Sequence, residues 1–376
     1  LKNVRNSKFD PLFCSRSQGT IHSFIHRITL VSTFASNYTA LENKTTNNLP
    51  IRSAGKQNKT DNHPPASIVT EVKLFACSAS KDLSKEIAHH YDIVLGDTTL
   101  ARFSDGEMQT ILNESVRGSY TFFIQSTCQP HDNLVELLLW IDTARRASAG
   151  YITAVVPYFG YARQDRKDKP RVPISAKLMA NMITAAGVDR IMTMDLHADQ
   201  VQGFFDIPVD HLRSEAIYVP YLEKQDLSKV IFASPDVGGV KRARIYAMHF
   251  GRELVICDKY RTKANEVAAM TVIGDVKGAD VILVDDLVDT AGTLCKAADA
   301  LMEKGAISVR AICTHPVLSG KAYENIEASQ LTELIVCDTI PLGKESPKIK
   351  VLSTASLFAR AIRNTVEHKS IAALFH

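Results

Sequence analysis

From Val72 onward, short apolar runs alternate with segments whose apolar residues recur at helical spacing. KLFACS (73–78), YTFFIQS (120–126), YITAVVPYF (151–159) and RIMTMDLH (190–197) read as strands. KVIFASPD (229–236), ELVICDK (253–259), DVILVDD (280–286), SVRAICTH (308–315), ELIVCDT (333–339) and IKVLSTA (349–355) read the same way. Between them lie predicted helices. Ser80–His90 has Asp82 and Glu86 in its early turns. Asp132–Ala149 carries an apolar stripe through Leu134, Leu137, Leu138 and Ile141. Ile174–Ala186 is stopped by Gly187 and Thr293–Lys304 by Gly305. Gly239–His249 and Ser356–Thr365 complete the set.

Continuous apolar strands alternating with amphipathic helices predict parallel sheet covered on both faces. The pattern runs twice, over 71–215 and 216–376, which predicts two α/β domains of similar build, the last residues packing back on the first. Residues 1–70 differ: they are rich in Ser, Thr and Asn and show no sustained period. Such a stretch is expected to be a mitochondrial or plastid targeting segment, or a disordered or artefactual extension.

Composition refines this picture little. With 45% apolar and 23% charged residues the chain is of ordinary globular composition, and no run of apolar residues is long enough for a membrane span. The net charge of +3 hides an asymmetry, because residues 1–70 hold nine Lys/Arg against three Asp/Glu and the remainder is slightly acidic. A nucleic-acid binder would keep its basic excess on the folded part, so nucleic acid is not expected as a partner. The seven cysteines are scattered without a CxxC pair, which fits a reducing, cytoplasmic setting and no structural zinc.

The chemistry is expected where strands end. In VILVDDLVDTAGT (281–293) an apolar strand delivers Asp285 and Asp286 to the carboxyl edge of a sheet, where ligands of open α/β folds bind. Asp289 then opens a turn, Thr290-Ala291-Gly292-Thr293, whose amides lead into a helix and suit a phosphate. The acids would face a metal or sugar hydroxyls; the plainer reading is a solvated strand end with a threonine cap. In MDLHADQ, Asp195 and His197 lie two apart, so an extended backbone would aim both at one divalent cation, with Asp206 and Asp210 following. Oxygen ligands with one imidazole suit magnesium or manganese; a structural histidine beside surface acids is the alternative. PYFGYARQDRKDKPR (157–171) mixes aromatic and basic side chains fit for a polyphosphate. SPDVGGVKRAR (234–244) suggests a phosphate turn before Lys241 and Arg242, and DKYRTKANE (258–266) puts Lys259, Arg261 and Lys263 after a strand. Each of these basic runs is also a common solvated surface.

Together these motifs resemble the ribose-phosphate pyrophosphokinase family. MDLHADQVQGFFDIPVD, RFSDGE, ESVRG, YARQDRKDKPRVPISAKL, SPDVGG, KANEV and VDDLVDTAGT occur in the family's order from Val72 to Phe375. The resemblance implies two phosphoribosyltransferase-type domains, each a mostly parallel sheet flanked by helices. It implies transfer of the diphosphoryl group of ATP to the C1 hydroxyl of ribose 5-phosphate, feeding nucleotide biosynthesis. ATP would meet Arg163, Gln164, Asp165, Arg166, Lys167 and His197, with Phe103, Asp105 and Glu107 supplied by a neighbouring subunit. Ribose 5-phosphate would meet Asp285, Asp286, Asp289, Thr290, Ala291, Gly292 and Thr293. Mg2+, or Mn2+ in its place, would sit among Asp195, His197, Asp206, Asp210 and Asp236. Lys259 and Arg261 would be the catalytic cations. The family also implies homodimers assembled into a homohexamer, and inorganic phosphate as a candidate activator.

The sequence departs from close relatives at Asp199, where Ser is often found, at Tyr260, and at Cys128-Gln129-Pro130. Two other readings share parts of the pattern: a phosphoribosyltransferase, which would lack the duplication, and a non-catalytic regulatory subunit.

Overall fold

A computed structural model of the chain describes residues 71–260 and 269–375, which belong to one compact unit, Ile68–His376. The expected leader (1–70), Arg261 and the KANEV run lie outside the described residues.

The first half builds an all-parallel sheet. Its strands are β1 (Val72–Ala76), β4 (Tyr120–Ile124), β5 (Tyr151–Val156), β6 (Arg190–Met194) and β7 (Val209–Leu212), hydrogen-bonded in that order. The second half builds a larger sheet in the order β10 (Ala269–Ile273), β9 (Leu254–Tyr260), β8 (Val230–Ser234), β11 (Asp280–Val288), β12 (Ser308–Pro316), β13 (Glu333–Cys337), β14 (Ile349–Leu352). All its pairings are parallel except β10 on β9. A separate antiparallel hairpin, β2 (Thr98–Arg102) and β3 (Met108–Leu112), stands apart from both sheets.

Burial on both faces explains why these strands read as continuous apolar runs. Along β4, Phe123 packs in one cluster while Phe122 and Ile124 pack in the cluster on the opposite face. Along β11, Val281 and Leu283 face one cluster, and Ile282 and Val284 the other. Strand geometry alternates side chains between faces, so a sheet covered by helices on both sides needs apolar residues at every position.

The covering helices are α1 (Lys81–Tyr91), α2 (Asp132–Arg146), α3 (Ser175–Ala186), α4 (Glu215–Leu222), α5 (Val240–His249), α6 (Gly292–Glu303), α7 (Ala322–Ala328) and α8 (Ala355–Val366). The last of them packs beside α1 against the first sheet, with Phe358 fully buried among Leu74, Ile87 and Phe122. Removing that ring, as in Phe358→Ala, would cost about 3–5 kcal/mol by the usual cavity penalty.

Some elements were not anticipated. Strands β2 and β3 are short and half-exposed, so their alternation is weak. Helix α4 contains Pro220, a residue that argues against a helix interior. The predicted strand 190–197 stops at Met194 because Asp195 turns left-handed, at φ 36°.

Candidate active site

Two neighbouring cavities open at the carboxyl ends of β6, β8 and β11. The larger, about 610 Å³, is lined by Asp165, Arg166, Asp199, Arg213, Lys241 and Arg242, among others. The smaller, about 220 Å³, is lined by Arg163 and the whole run Asp285–Leu294. His197, Asp236, Asp285 and Asp286 line both. The two spaces therefore meet at one imidazole and three carboxylates.

The smaller cavity is made largely by one stretch of chain. Strand β11 ends at Val288, and Asp289 is held from two sides: Arg163 Nη1 lies 2.6 Å from its Oδ2, and Ser319 Oγ donates to its Oδ1 at 2.5 Å. Burial works to raise the Asp289 pKa, but the Ser319 and Arg163 contacts override it and hold the group below its usual value. The left-handed residue of the turn is Ala291, at φ 60°, and not Gly292, which opens α6. A side chain added at Gly292 would meet only Thr290 Oγ1, at 3.8 Å, so glycine here leaves the floor of the cavity open. Asn325 Nδ2 donates to the Thr290 carbonyl at 2.9 Å. With the α6 amino end beneath it, this loop is built to take an anion.

At the junction, His197 Nδ1 and Asp286 Oδ2 are 2.8 Å apart. That hydrogen bond raises the His197 pKa against the opposing effect of burial. Burial pushes Asp286 the other way, yet the His197 bond and the Arg242 charge win and lower its pKa. Its neighbour Asp285 goes far up, through burial first and then the charges of Asp286 and Asp236. Asp236 Oδ1 accepts the Gly239 amide at 2.8 Å, within the turn that leads into α5.

The expected metal set does not converge. Asp195 was expected to point with His197, but its left-handed backbone turns it into the seam between the halves, where it is 1% exposed. There it accepts from Thr314 Oγ1 at 2.5 Å and from the Ser214 amide at 3.3 Å. Burial pushes its pKa up, but the Arg242 charge and these donors bring it below normal. Asp206 is a surface group 3.7 Å from Lys177 Nζ. Asp210 pairs with Arg190 at 2.8 Å, away from both cavities, and burial raises its pKa. Among the described residues no group of three or more His, Cys, Asp or Glu is placed to hold a metal ion. His197, Asp236, Asp285 and Asp286 border the same junction without forming such a group; carboxylates with one imidazole are the ligand types a hard divalent cation takes.

The remaining candidates divide. Gln164 is pinned to the start of α3 by the Ser175 hydroxyl, and Asp165 accepts from Gln200 Nε2 at 2.9 Å. Gly160 brings this aromatic-basic loop so close to Thr127 that a Cβ would lie 2.3 Å from its carbonyl oxygen. Lys167 lines neither cavity. Phe103, Asp105 and Glu107 sit at the tip of the β2–β3 hairpin, where Phe103 is 54% exposed, and line neither cavity either. Lys259 lies on β9, paired with Met270, and Arg261 is outside the described residues.

Sequence reasoning underweighted Arg242, which approaches Asp195 at 3.7 Å and Asp286 at 4.0 Å. It missed Thr314, His315 and Thr339 altogether. The only signal was the polar Thr314-His315 ending of an otherwise apolar strand. In the structure His315 lies buried between Thr339 Oγ1, at 2.9 Å, and the Asp195 carbonyl, at 3.1 Å. Ser126 Oγ donates to the Thr339 carbonyl at 2.5 Å, so the same buried seam reaches β4's end.

Comparison with known proteins agrees with this architecture. Residues 72–187 match the family described as the N-terminal domain of ribose phosphate pyrophosphokinase, and residues 253–376 the family described as the phosphoribosyl synthetase-associated domain. The ribose-phosphate pyrophosphokinase of Campylobacter jejuni is 55% identical over 304 residues, covering 81% of this chain and 98% of that protein. That of Haemophilus influenzae is 50% identical over 313 residues, covering 81% and 99%. The crystal structure of phosphoribosylpyrophosphate synthetase from Mycobacterium smegmatis superposes with a TM-score of 0.76 at 39% identity, covering 80% of this chain and all of that one. Its fold, with two phosphoribosyltransferase-type halves, is the fold of this protein. On these grounds the chain belongs to the ribose-phosphate pyrophosphokinase family.

Proposed function

We propose that the protein is a ribose-phosphate diphosphokinase, converting ATP and ribose 5-phosphate to 5-phospho-α-D-ribose 1-diphosphate and AMP. The observation that carries this reading is the meeting of two cavities at His197, Asp236, Asp285 and Asp286. One is bordered by the anion-binding turn 289–293 and suits the sugar phosphate. The other is bordered by Arg166, Arg213 and Lys241 and suits a polyphosphate.

In the reaction the C1 hydroxyl oxygen attacks the β-phosphorus, the bond from that phosphorus to the α,β-bridging oxygen breaks, AMP leaves with the bridging oxygen, and the hydroxyl proton is released to solvent. Phosphoryl-type transfer depends mainly on alignment and on stabilising charge. The turn Thr290-Ala291-Gly292-Thr293 holds the 5-phosphate and Asp289 steadies the turn through Ser319 and Arg163. Asp285 and Asp286 orient the ribose hydroxyls. Asp165 and Arg166 align the nucleotide with Gln164 and Lys167 beside them, and Arg163, which borders the sugar cavity, meets it across the junction. Mg2+, with Mn2+ as the alternative, would be held at His197 and Asp236 with the adjoining carboxylates, and would neutralise phosphate charge there. Lys259 and Arg261 supply the cations of the transition state. Lys259→Ala should lower turnover by roughly a thousandfold while ATP affinity changes far less; an equal loss in both would contradict that role.

The exposed tip Phe103–Glu107 is taken to serve the nucleotide site of a second copy, in a homodimer that assembles to a homohexamer. We place the domain boundary near 215, the enzyme in the cytoplasm, and inorganic phosphate as an activator. Among the described residues no helix is long and apolar enough to cross a membrane.

The test is chromatographic. Full-length protein with ATP, magnesium and phosphate should form AMP only when ribose 5-phosphate is added, in equal amount to the sugar diphosphate. Absence of both products would favour a regulatory subunit instead.

A further inference from the structure

We infer that Asn325 is a positioning residue for ribose 5-phosphate, acting through the peptide planes of the turn that takes the 5-phosphate. The inference rests on the diphosphokinase reading above and deepens its sugar site. The segment 318–325, which leads from β12 into α7, is bonded to that turn at four points. The Leu318 amide donates to the Val288 carbonyl at 3.0 Å and the Ser319 amide to the Asp289 carbonyl at 3.1 Å. Ser319 Oγ donates to Asp289 Oδ1 at 2.5 Å, and Asn325 Nδ2 to the Thr290 carbonyl at 2.9 Å. Three successive carbonyls of the turn are therefore drawn to one segment.

A trans peptide group is planar, so its C=O and N–H point in opposite directions. A carbonyl drawn toward 318–325 sends the amide of the next residue the other way. The amides so aimed include those of Thr290 and Ala291, residues that line the smaller cavity. Neither amide has an acceptor among the described residues. The left-handed Ala291 suits a nest in which consecutive amides converge on an anion. The Val288 and Asp289 carbonyls are held by backbone amides, which almost any residue supplies. The Thr290 carbonyl is held by a side chain 35 positions away, so the aim of the Ala291 amide depends on which residue stands at 325. That side chain is presented from a fixed support. Helix α7 has only seven residues, and its last carbonyls need partners from outside the helix. Lys348 Nζ supplies them, donating to the carbonyls of Ile326 at 3.2 Å, Glu327 at 3.2 Å and Ser329 at 2.9 Å.

The decisive measurement is titration calorimetry of ribose 5-phosphate into the full-length protein, with magnesium and α,β-methylene-ATP present to block transfer. Asn325→Leu and Asn325→Ala remove the donor without adding charge. Asn325→Asp keeps the shape but sets a carboxylate against the Thr290 carbonyl. The neutral variants are expected to bind ribose 5-phosphate about fivefold more weakly than wild type, as for loss of one hydrogen bond. The aspartate variant should lose at least as much. Binding of α,β-methylene-ATP itself should stay within about twofold in all three, because a loss of one local bond leaves the nucleotide side intact. Unchanged ribose 5-phosphate affinity in the neutral variants would overturn the inference. So would an equal loss for both ligands, or neutral variants that do not fold, since either would make Asn325 a general support of the fold. Wild type that binds ribose 5-phosphate but forms no AMP defeats the diphosphokinase reading alone. Wild type that binds no ribose 5-phosphate overturns both.

Discussion

The ends of β11 and β6 both carry acids, and they are used in opposite ways. At β11 the chain runs straight on, so Asp285 and Asp286 border both cavities and Asp289 anchors the turn beyond. At β6 the backbone flips at Asp195, the carboxylate dives into the seam, and the chain returns to the cavities from His197 onward. One end is a binding surface contributed by contiguous residues. The other is a buried pin held by partners as near in the chain as Ser214 and as far as Thr314. Similar motifs can thus serve ligand and frame respectively, and burial tells them apart.

Substitutions at the two ends should separate these roles. The largest effect is expected for Asp286→Asn, which removes the charge that His197 and Arg242 both address. Turnover should fall about a hundredfold or more, as for loss of a positioned charge in an active site, while the melting temperature moves by only a few degrees. A collapse of stability with normal turnover would reverse the comparison. Next comes Thr314→Val on the seam side. It leaves a buried Asp195 oxygen without its donor, a loss of about 1–3 kcal/mol of stability, which denaturant unfolding would reveal. Turnover at low temperature should stay within a few-fold of wild type.

The smallest effect concerns Asp199, just beyond His197. Its carboxylate lies 2.9 Å from Arg213 and 2.8 Å from Lys241. Burial works to raise its pKa, but hydrogen bonds from Lys241 and Arg213 lower it from 3.8 to about 2. A depressed pKa contributes stability that is present above the unfolded value and is lost as pH falls from about 4 to about 2. The group is partly exposed, so solvent screening holds the gain to about 1 kcal/mol or less. Asp199→Asn should flatten acid unfolding in that window; an unchanged acid limb would mean that the pairing contributes no stability.

Much of this organisation could be read from residue order. The buried strands announced themselves because both faces are covered, as with Phe122 and Phe123 on β4. The 285–293 loop was legible because its acids, turn and helix start follow one another in the chain, although Arg163, Ser319 and Asn325, which hold it, come from elsewhere. What stayed hidden was tertiary. Nothing in MDLHADQ says that Asp195 will adopt φ 36°, since the Thr314 hydroxyl and the Ser214 amide that reward the flip come from distant segments. Arg242 was visible only as one base in a basic run, because its meaning depends on two carboxylates brought to it by separate strands. Ala291 in the left-handed position was missed for a simpler reason: its neighbour Gly292 is the residue that ordinarily takes it.

In the proposed reaction the 1-hydroxyl of a sugar held at 285–293 attacks a nucleotide held across the junction. Phosphorus NMR on the product made from ribose 5-phosphate carrying oxygen-18 at C1 tests it most directly. A diphosphokinase breaks the bond between the β-phosphorus and the bridging oxygen and leaves C1–O intact, so the account predicts the label in the C1–O–P bridge, with one AMP per product. Label lost from that bridge, or sugar diphosphate formed without AMP, would contradict it.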